Sequence, residues 1–595
     1  MAVSDRKRVF LSNSITSALE LDGVIDWFPC PRFDSQSLFS GILDDVKGGY
    51  FSLKPVSEYN LVSTYVQDSL IIKNSFAAEA GTLETYDFLP MGLSAIMRIY
   101  DSGIPFIVDI KPTFDYGMIN PGVEEVEKGL IFRNPQSKEG IEVLIEGKYK
   151  IVEDSKAIVE PGRGYISLLY SKDLRYGLFS NKGFVYADPY ESLEATKKYW
   201  QTQLAKAVEV NEFRRHYYRS LAVIIGLTYN PSGGAIAAPT TSLPEIVGKG
   251  RNWDYRYVWI RDAAYASEAL SNSGLLYKSK RMLSFLISLI DPASKSFDHP
   301  LYSIDGTPPR AEETLPWLKG NHGSKPVRVG NEAYMQIQMD SEGDFINALY
   351  SYLRHSGDTE FVKENWWAIE AITKWVSKSW REPSLSLWEE RSEKHFVMHT
   401  KLMDWVAMDR SAKMAAEIGE AGQSREWSSI AASIKTEMLE KGISKERKIF
   451  THYYGGNTVD SSLLTLPLYG FVESDNEIFL NTLGVIEKEL VSSSGLLLRY
   501  KIDFAGEAAH PFILINTWLS RVYTRLGQLE KAKGIIERII EGSTDHGLLA
   551  EHIDQSSKEP RGNFPQMFAH AGLVDAILEY VNADKSDAAK AKSHQ

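Results

Sequence analysis

Leu387-Trp388-Glu389-Glu390-Arg391 sets two adjacent carboxylates beside an indole and a guanidinium, in a loop between two helix-prone runs. An indole lowers local polarity and favours the protonated form of a nearby carboxyl, the form a general acid needs. The second carboxylate can pair with arginine and hydrogen-bond a sugar hydroxyl. A solvated Glu-Glu-Arg turn, anchored by a buried Trp, is the other reading of the same residues. Further along, Gly547-Leu548-Leu549-Ala550-Glu551-His552-Ile553-Asp554 places Glu551 in an apolar setting before the non-helical Gly562-Asn563-Phe564-Pro565. A surface or helix-cap carboxylate has the same local context. In a third segment, Asn252 to Asp262, aromatics including Tyr255 and Trp259 alternate with charged residues and end on Arg261-Asp262. That pair offers donors and acceptors to one sugar ring, or forms a structural ion pair at a helix start.

Other chemistries lack their residues. Glu312, Glu313 and His322 do not form HExxH, and neither a phosphate-binding P-loop nor a GxSxG elbow occurs. No metal and no cofactor is expected. Cys30 is the single cysteine, so it forms no internal disulfide and is read as a small packed side chain. Asp plus Glu number 78 against 66 Lys plus Arg, a formal net charge of -12, which argues against nucleic acid or an anionic membrane as partner. The first residues lack the apolar core of a signal peptide and no window would span a bilayer, so the cytoplasm is the expected location. Homo-oligomerisation is left open.

These segments need elements to hold them, and at 595 residues more than one domain is expected. Residues 1–190 read as short alternating strands between Gly-containing turns, the pattern of antiparallel sheets packed as a β-sandwich. Residues 191–210 form a connecting helix. Residues 211–585 carry amphipathic runs, among them Phe213 to Ile225, Gly343 to Leu353, Phe361 to Trp380 and Lys401 to Ile418. Periodicity gives roughly twelve helices and establishes only that this half is all-α. Residues 586–595 read as a polar tail. The long stretch from Pro292 to Gly330 carries Tyr302, Asp305, Trp317 and Arg328, too many aromatics for disorder and long enough to be functional.

Taken in order, the motifs resemble glycoside hydrolase family 15, the glucoamylases, glucodextranases and microbial trehalases. Gly23-Val24-Ile25-Asp26-Trp27-Phe28-Pro29-Cys30-Pro31-Arg32-Phe33-Asp34-Ser35 is similar to the opening of its prokaryotic members. Ala237-Ala238-Pro239-Thr240-Thr241-Ser242 leading to Trp259-Ile260-Arg261-Asp262 resembles its substrate-clamping segment, and Pro326 to Asn331, with Arg328, its central loop. The resemblance implies an N-terminal β-sandwich followed by an (α/α)6 barrel. It implies Glu389 as general acid and Glu551 as the base that activates water. Arg261 and Asp262 would grip the terminal glucose. Tyr255, Trp259, Trp388, Glu390, Arg391 and Arg328 complete the substrate-binding set. Inversion at the anomeric carbon is also implied, which needs carboxyls roughly 6.5–9.5 Å apart. His552 departs from the family's common Ala-Glu-Gln pattern, which bears on substrate preference.

The first expectation is an exo-acting glucoamylase that releases glucose from maltooligosaccharides or starch. Trehalase is the alternative with the same carboxylates; the difference would lie on the leaving-group side, mainly in the Pro292–Gly330 loop. A disaccharide phosphorylase would replace the base with a phosphate site, against Glu551 in its motif. A catalytically silent glucan-binding protein is the reading from another class.

Overall fold

The computed structural model describes residues 4–175, 188–389, 393–503 and 506–593. In the N-terminal part, strands such as Tyr50–Pro55 and Phe106–Lys111 alternate buried and partly exposed residues, as a pleated strand with one inner face must. The strands form two antiparallel sheets of eight. The first runs Val9–Ser12, Ser17–Leu21, Val24–Pro29, Tyr50–Pro55, Phe106–Lys111, Lys156–Val159, Tyr149–Glu153, with Ser37–Phe39 paired to the side. The second runs from Gly122–Val126 through Gly162–Ser171 and Ala95–Ser102 to Tyr59–Tyr65. One apolar core joins them, with Phe51, Phe106 and Val108 from the first sheet against Phe76, Val143 and Ile166 from the second. Cys30 is buried in it, as expected of a packing residue.

Helix α1, Pro189–Leu204, links the two parts. Asp188 caps it, accepting from the Tyr190 N–H at 2.8 Å, and Pro189 supplies a preset first turn. Beyond it the chain is helical. Helices α2 (Arg214–Gly226), α3 (Ile260–Asn272), α5 (Ser341–Ser356), α7 (Met398–Ile418) and α10 (Ile513–Arg525) are buried over much of their surface. Between several of them stand α4 (Leu276–Ser288), α6 (Trp366–Ser379), α8 (Ala421–Lys441), α9 (Glu477–Leu490) and α11 (Leu529–Glu541), each burying one stripe. A one-sided stripe suits an outer layer; a helix apolar around its circumference suits an inner one. Contacts run from α12 (Met567–Ser593) to α3, α5 and α7, on to the short helical segment at Ser461–Leu468, then to α10 and back to α12. The stretch expected as a polar tail thus continues a helix through Ser593.

The Pro292–Gly330 stretch departs from its expected role. It fastens the helical part to the sheets: Trp317 donates its indole N–H to Tyr116 O at 3.0 Å, and Asn321 donates to Ile42 O at 3.0 Å. Arg32 reaches Asp305 at 2.8 Å. Beside it, Trp27 donates to Pro239 O at 2.7 Å, and buried Arg256 bonds Asp254, Ser35 O and the Tyr116 hydroxyl. Replacing Arg256 with Met would strand Asp254 in a buried setting and is expected to cost about 3–5 kcal/mol. A thermal melt of that variant with an unchanged midpoint would remove this bridge from the account of how the parts are joined. No helix among the described residues is long and apolar enough to cross a membrane.

Candidate active site

A cavity opens where three buried helices begin. Arg261 and Asp262 come from the first turn of α3, Leu514 from α10 and Phe568 from α12, while loops supply Glu245, Tyr255, Trp388, Glu389, Arg499 and Glu551. Helix N-termini carry partial positive charge and unpaired N–H groups, which favours acidic side chains and hydroxyl ligands there.

Two aromatic neighbours separate the carboxylates. Trp259 donates its indole N–H to Glu389 Oε1 at 2.7 Å, and Tyr255 donates its hydroxyl to Glu551 Oε1 at 2.8 Å. The two rings pack edge to face, with centroids 5.5 Å apart. Arg261 adds a second donor to Glu389 Oε1 at 3.2 Å. Glu389 keeps about a quarter of its side-chain surface exposed and sits at φ 57°, a left-handed conformation that costs a non-glycine residue about 1–3 kcal/mol. The turn is tied by Glu389 N–H to Ser386 O at 3.1 Å and by Trp388 N–H to the Ser386 hydroxyl at 3.1 Å.

Glu551 is buried. Burial and the nearby Glu245 push its carboxyl up to about 8, against the opposing pull of Arg499 and the Tyr255 hydrogen bond. Its backbone is pinned where Ile513 N–H, at the start of α10, donates to Glu551 O at 3.0 Å. After it, His552–Ile553 pairs with Pro560–Arg561, and Gly562 returns against the carboxylate. Asn563 then bonds Thr240 Oγ1 and Trp253 O at 3.0 and 2.7 Å, so the loop is held by the 237–242 segment. Gly562 has φ +83°, and a Cβ there would stand 3.0 Å from Glu551 Oε2. Gly562→Ala is therefore expected to displace the carboxylate and lower kcat about 10²-fold. Wild-type turnover in a folded Gly562→Ala protein would show that this position tolerates the crowding.

Asp262 is buried, its carboxyl pushed up to about 7 by burial, and its Oδ2 has no hydrogen-bond partner. Among the described residues, Glu245, Glu551 and His552 are the one group of His, Cys, Asp or Glu side chains whose metal-ligating atoms converge, within 4.8 Å of one another. Arg499 and Arg251 already face Glu245 there, at 2.8 and 3.6 Å, and we assign the group no metal.

The family model "Glycosyl hydrolases family 15" matches residues 211–578, and "Trehalase-like, N-terminal" matches residues 2–168. The chain belongs to glycosyl hydrolases family 15. Trehalase 2 of Sulfolobus acidocaldarius is 51% identical over 96% of this chain and 98% of its own. Trehalase 1 of the same organism is 39% identical over 96% and 98%. A bacterial glucoamylase crystallised with acarbose superposes with a TM-score of 0.75 over 98% of this chain and 94% of that chain, at 13% identity, a likeness of fold. These relatives correct the first expectation. A glucoamylase acting on starch or maltooligosaccharides is overturned, because the relatives that share 51% and 39% of their sequence with this family 15 hydrolase over 96% of its length are trehalases.

Of the residues expected from sequence, Glu389, Glu551, Arg261, Asp262, Tyr255, Trp259 and Trp388 line the cavity. Glu390 and Arg391 lie outside the described residues. Arg328 is not on the cavity wall. It donates to Gly250 O and Asn252 O at 3.0 and 2.8 Å, pairs with Glu312 and lies over Trp253. The indole that meets Glu389 is Trp259; the adjacent Trp388 instead donates to Asp460 at 2.8 Å. Arg261 is held by Gln338 and Asp340 at 3.1 and 3.3 Å, and its Nε stands 3.9 Å from Asp262. Sequence reasoning missed Glu245, Arg251, Gln336, Arg499 and Tyr500 on the wall. The apolar run Leu496-Leu497-Leu498 ending in Arg499-Tyr500, with no helical period, was a signal available for the last two.

Proposed function

We propose that the chain is a trehalase that splits α,α-trehalose into two glucose molecules with inversion at the attacked carbon. The 51% identity with a trehalase across 96% of the chain carries the choice of substrate. Glu389 acts as general acid and Glu551 as general base. Supporting this is their placement on one cavity, each held by its own aromatic donor so that neither carboxylate bonds the other. Arg261 and Asp262, in the first turn of α3 on the cavity wall, grip the bound glucosyl unit. Glu389 hands its proton to the bridging oxygen as the C1–O bond breaks, and the electron pair stays on that oxygen. Water attacks C1 from the opposite face while Glu551 takes its proton.

We also take residues 211–585 as an (α/α)6 barrel, preceded by a β-sandwich at 1–190 and a linking helix over 191–210. The returning circuit of helix contacts and the shared core of the two sheets support that division.

Trehalose is symmetric, so inversion produces one β-glucose from the attacked unit and one α-glucose from the leaving unit. Proton NMR of the first turnovers, with maltose, maltotriose and starch run in parallel, tests this. Equal α and β anomers from trehalose, with the malto-series inert, is the expected result. Release from starch with none from trehalose would sink it.

A further inference from the structure

His552 meets the Glu551 oxygen that Tyr255 leaves open: its Nε2 is 3.6 Å from Glu551 Oε2. The same Nε2 is 3.5 Å from Glu245 Oε2. On the other side of the ring, Nδ1 lies 3.4 Å from the carbonyl oxygen of His510. A carbonyl oxygen only accepts, so Nδ1 carries a proton. In a neutral ring Nε2 is then a bare lone pair. It is buried, has no hydrogen-bond partner and faces two carboxylate oxygens. Three lone-pair atoms turned on one another in a buried place repel unless a proton lies among them. Glu245 is the poorest home for it, because Arg499 donates to its Oε2 at 2.8 Å and Arg251 stands 3.6 Å away.

We propose that Glu551 and His552 hold one proton in common, and that Glu551 becomes a base by passing it to His552 Nε2. The O–H bond of the carboxyl breaks, its electron pair stays on Oε2, and the imidazolium formed is steadied by Glu245. No proton is exchanged with solvent. His552 is a positioning residue that acts through Glu551, and the inference rests on Glu551 being the base.

The charges facing the pair keep one proton on it, at rest on Glu551. Glu551 is faced by Glu245, Arg499, Tyr255 and Glu389, and His552 by Arg499, His510 and Arg251. Beyond His510, Asp554 stands at 3.9 Å and holds Arg561 at 3.1 Å. Burial pushes Glu551 up to about 8, while burial together with Arg499 and His510 pushes His552 down. Neither group bears charge well alone, so the proton stays within the pair.

His552→Gln keeps an amide donor towards Glu551 but has no site that accepts a proton. Glu551 must then lose its proton to solvent, and the acid limb of kcat/KM on trehalose is expected to lie at higher pH than in the native enzyme. At pH 6 the variant should fall about 10-fold further below its own alkaline plateau than the native enzyme does. An unmoved limb overturns the proposal. A second measurement is independent of turnover: nitrogen NMR of histidine-labelled native protein should show His552 Nε2 drawn towards the protonated position by the Glu551 proton, and bare in Glu551→Gln. An Nε2 resonance that is the same in the native protein and in Glu551→Gln, at a pH where the native enzyme is active, also overturns it, even if His552→Gln fails to fold. Glu551→Gln that still hydrolyses trehalose would remove the underlying reading. A dead Glu551→Gln beside an unmoved His552→Gln limb would remove only the shared proton.

Discussion

Glu551→Gln is expected to lower kcat on trehalose by about 10²–10⁴-fold while substrate binding persists. The amide has the shape of the carboxylate, and its oxygen can still accept the Tyr255 hydroxyl that now sits at 2.8 Å. What it lacks is an oxygen able to take the proton of the attacking water. Near-wild-type turnover, measured by glucose release beside calorimetric binding, would take Glu551 out of the mechanism. The same variant should change how stability responds to pH. The folded carboxyl is pushed up to about 8, above the value near 4.3 of an unfolded chain. Its contribution to stability is therefore fully present below the unfolded value and is lost as pH rises through the folded one. Relative to the native protein, Glu551→Gln should melt progressively higher between pH 5 and 9. A constant difference across that range would show that the carboxyl is not held protonated by the fold.

Glu389→Gln is expected to lose about as much on trehalose, but to keep hydrolysing α-glucosyl fluoride. Fluoride departs without a proton, so a missing acid matters little, whereas a missing base still prevents water from attacking. Trp259 and Arg261 both donate to Oε1, which leaves Oε2 to carry the proton delivered to the bridging oxygen. The pair of substrates thus separates the two roles. Glu389→Gln should act on the fluoride alone and Glu551→Gln on neither. Equal loss on both substrates in Glu389→Gln would mean that the residue holds the cavity together rather than protonating a leaving group.

The stripe of Trp366–Ser379, read within the run Phe361 to Trp380, was legible because a one-sided helix writes its period into adjacent residues. The three chemical segments were legible because each is contiguous, and all three reach the cavity wall. Met398–Ile418 was read as an amphipathic run from Lys401, yet it is buried over most of its length, and nothing in a single run tells which helix lies inside. The Pro292–Gly330 stretch read as a cavity loop because its length and aromatics mark function; packing spends them on the contact with the sheets.

Side-chain partners across the cavity were beyond local reading. Trp388 is next to Glu389 in the chain, yet its indole turns to Asp460, and Trp259, 130 residues away, takes its place. Glu245 and Glu551 are far apart along the chain and meet only where the 237–242 segment folds against the loop at Asn563. The family, its two carboxylates and the clamp pair follow from short motifs, whose residues are neighbours along the backbone. Which donor holds each carboxylate, and which charge stands behind the base, follow from the closing of helices that no short window of residues contains.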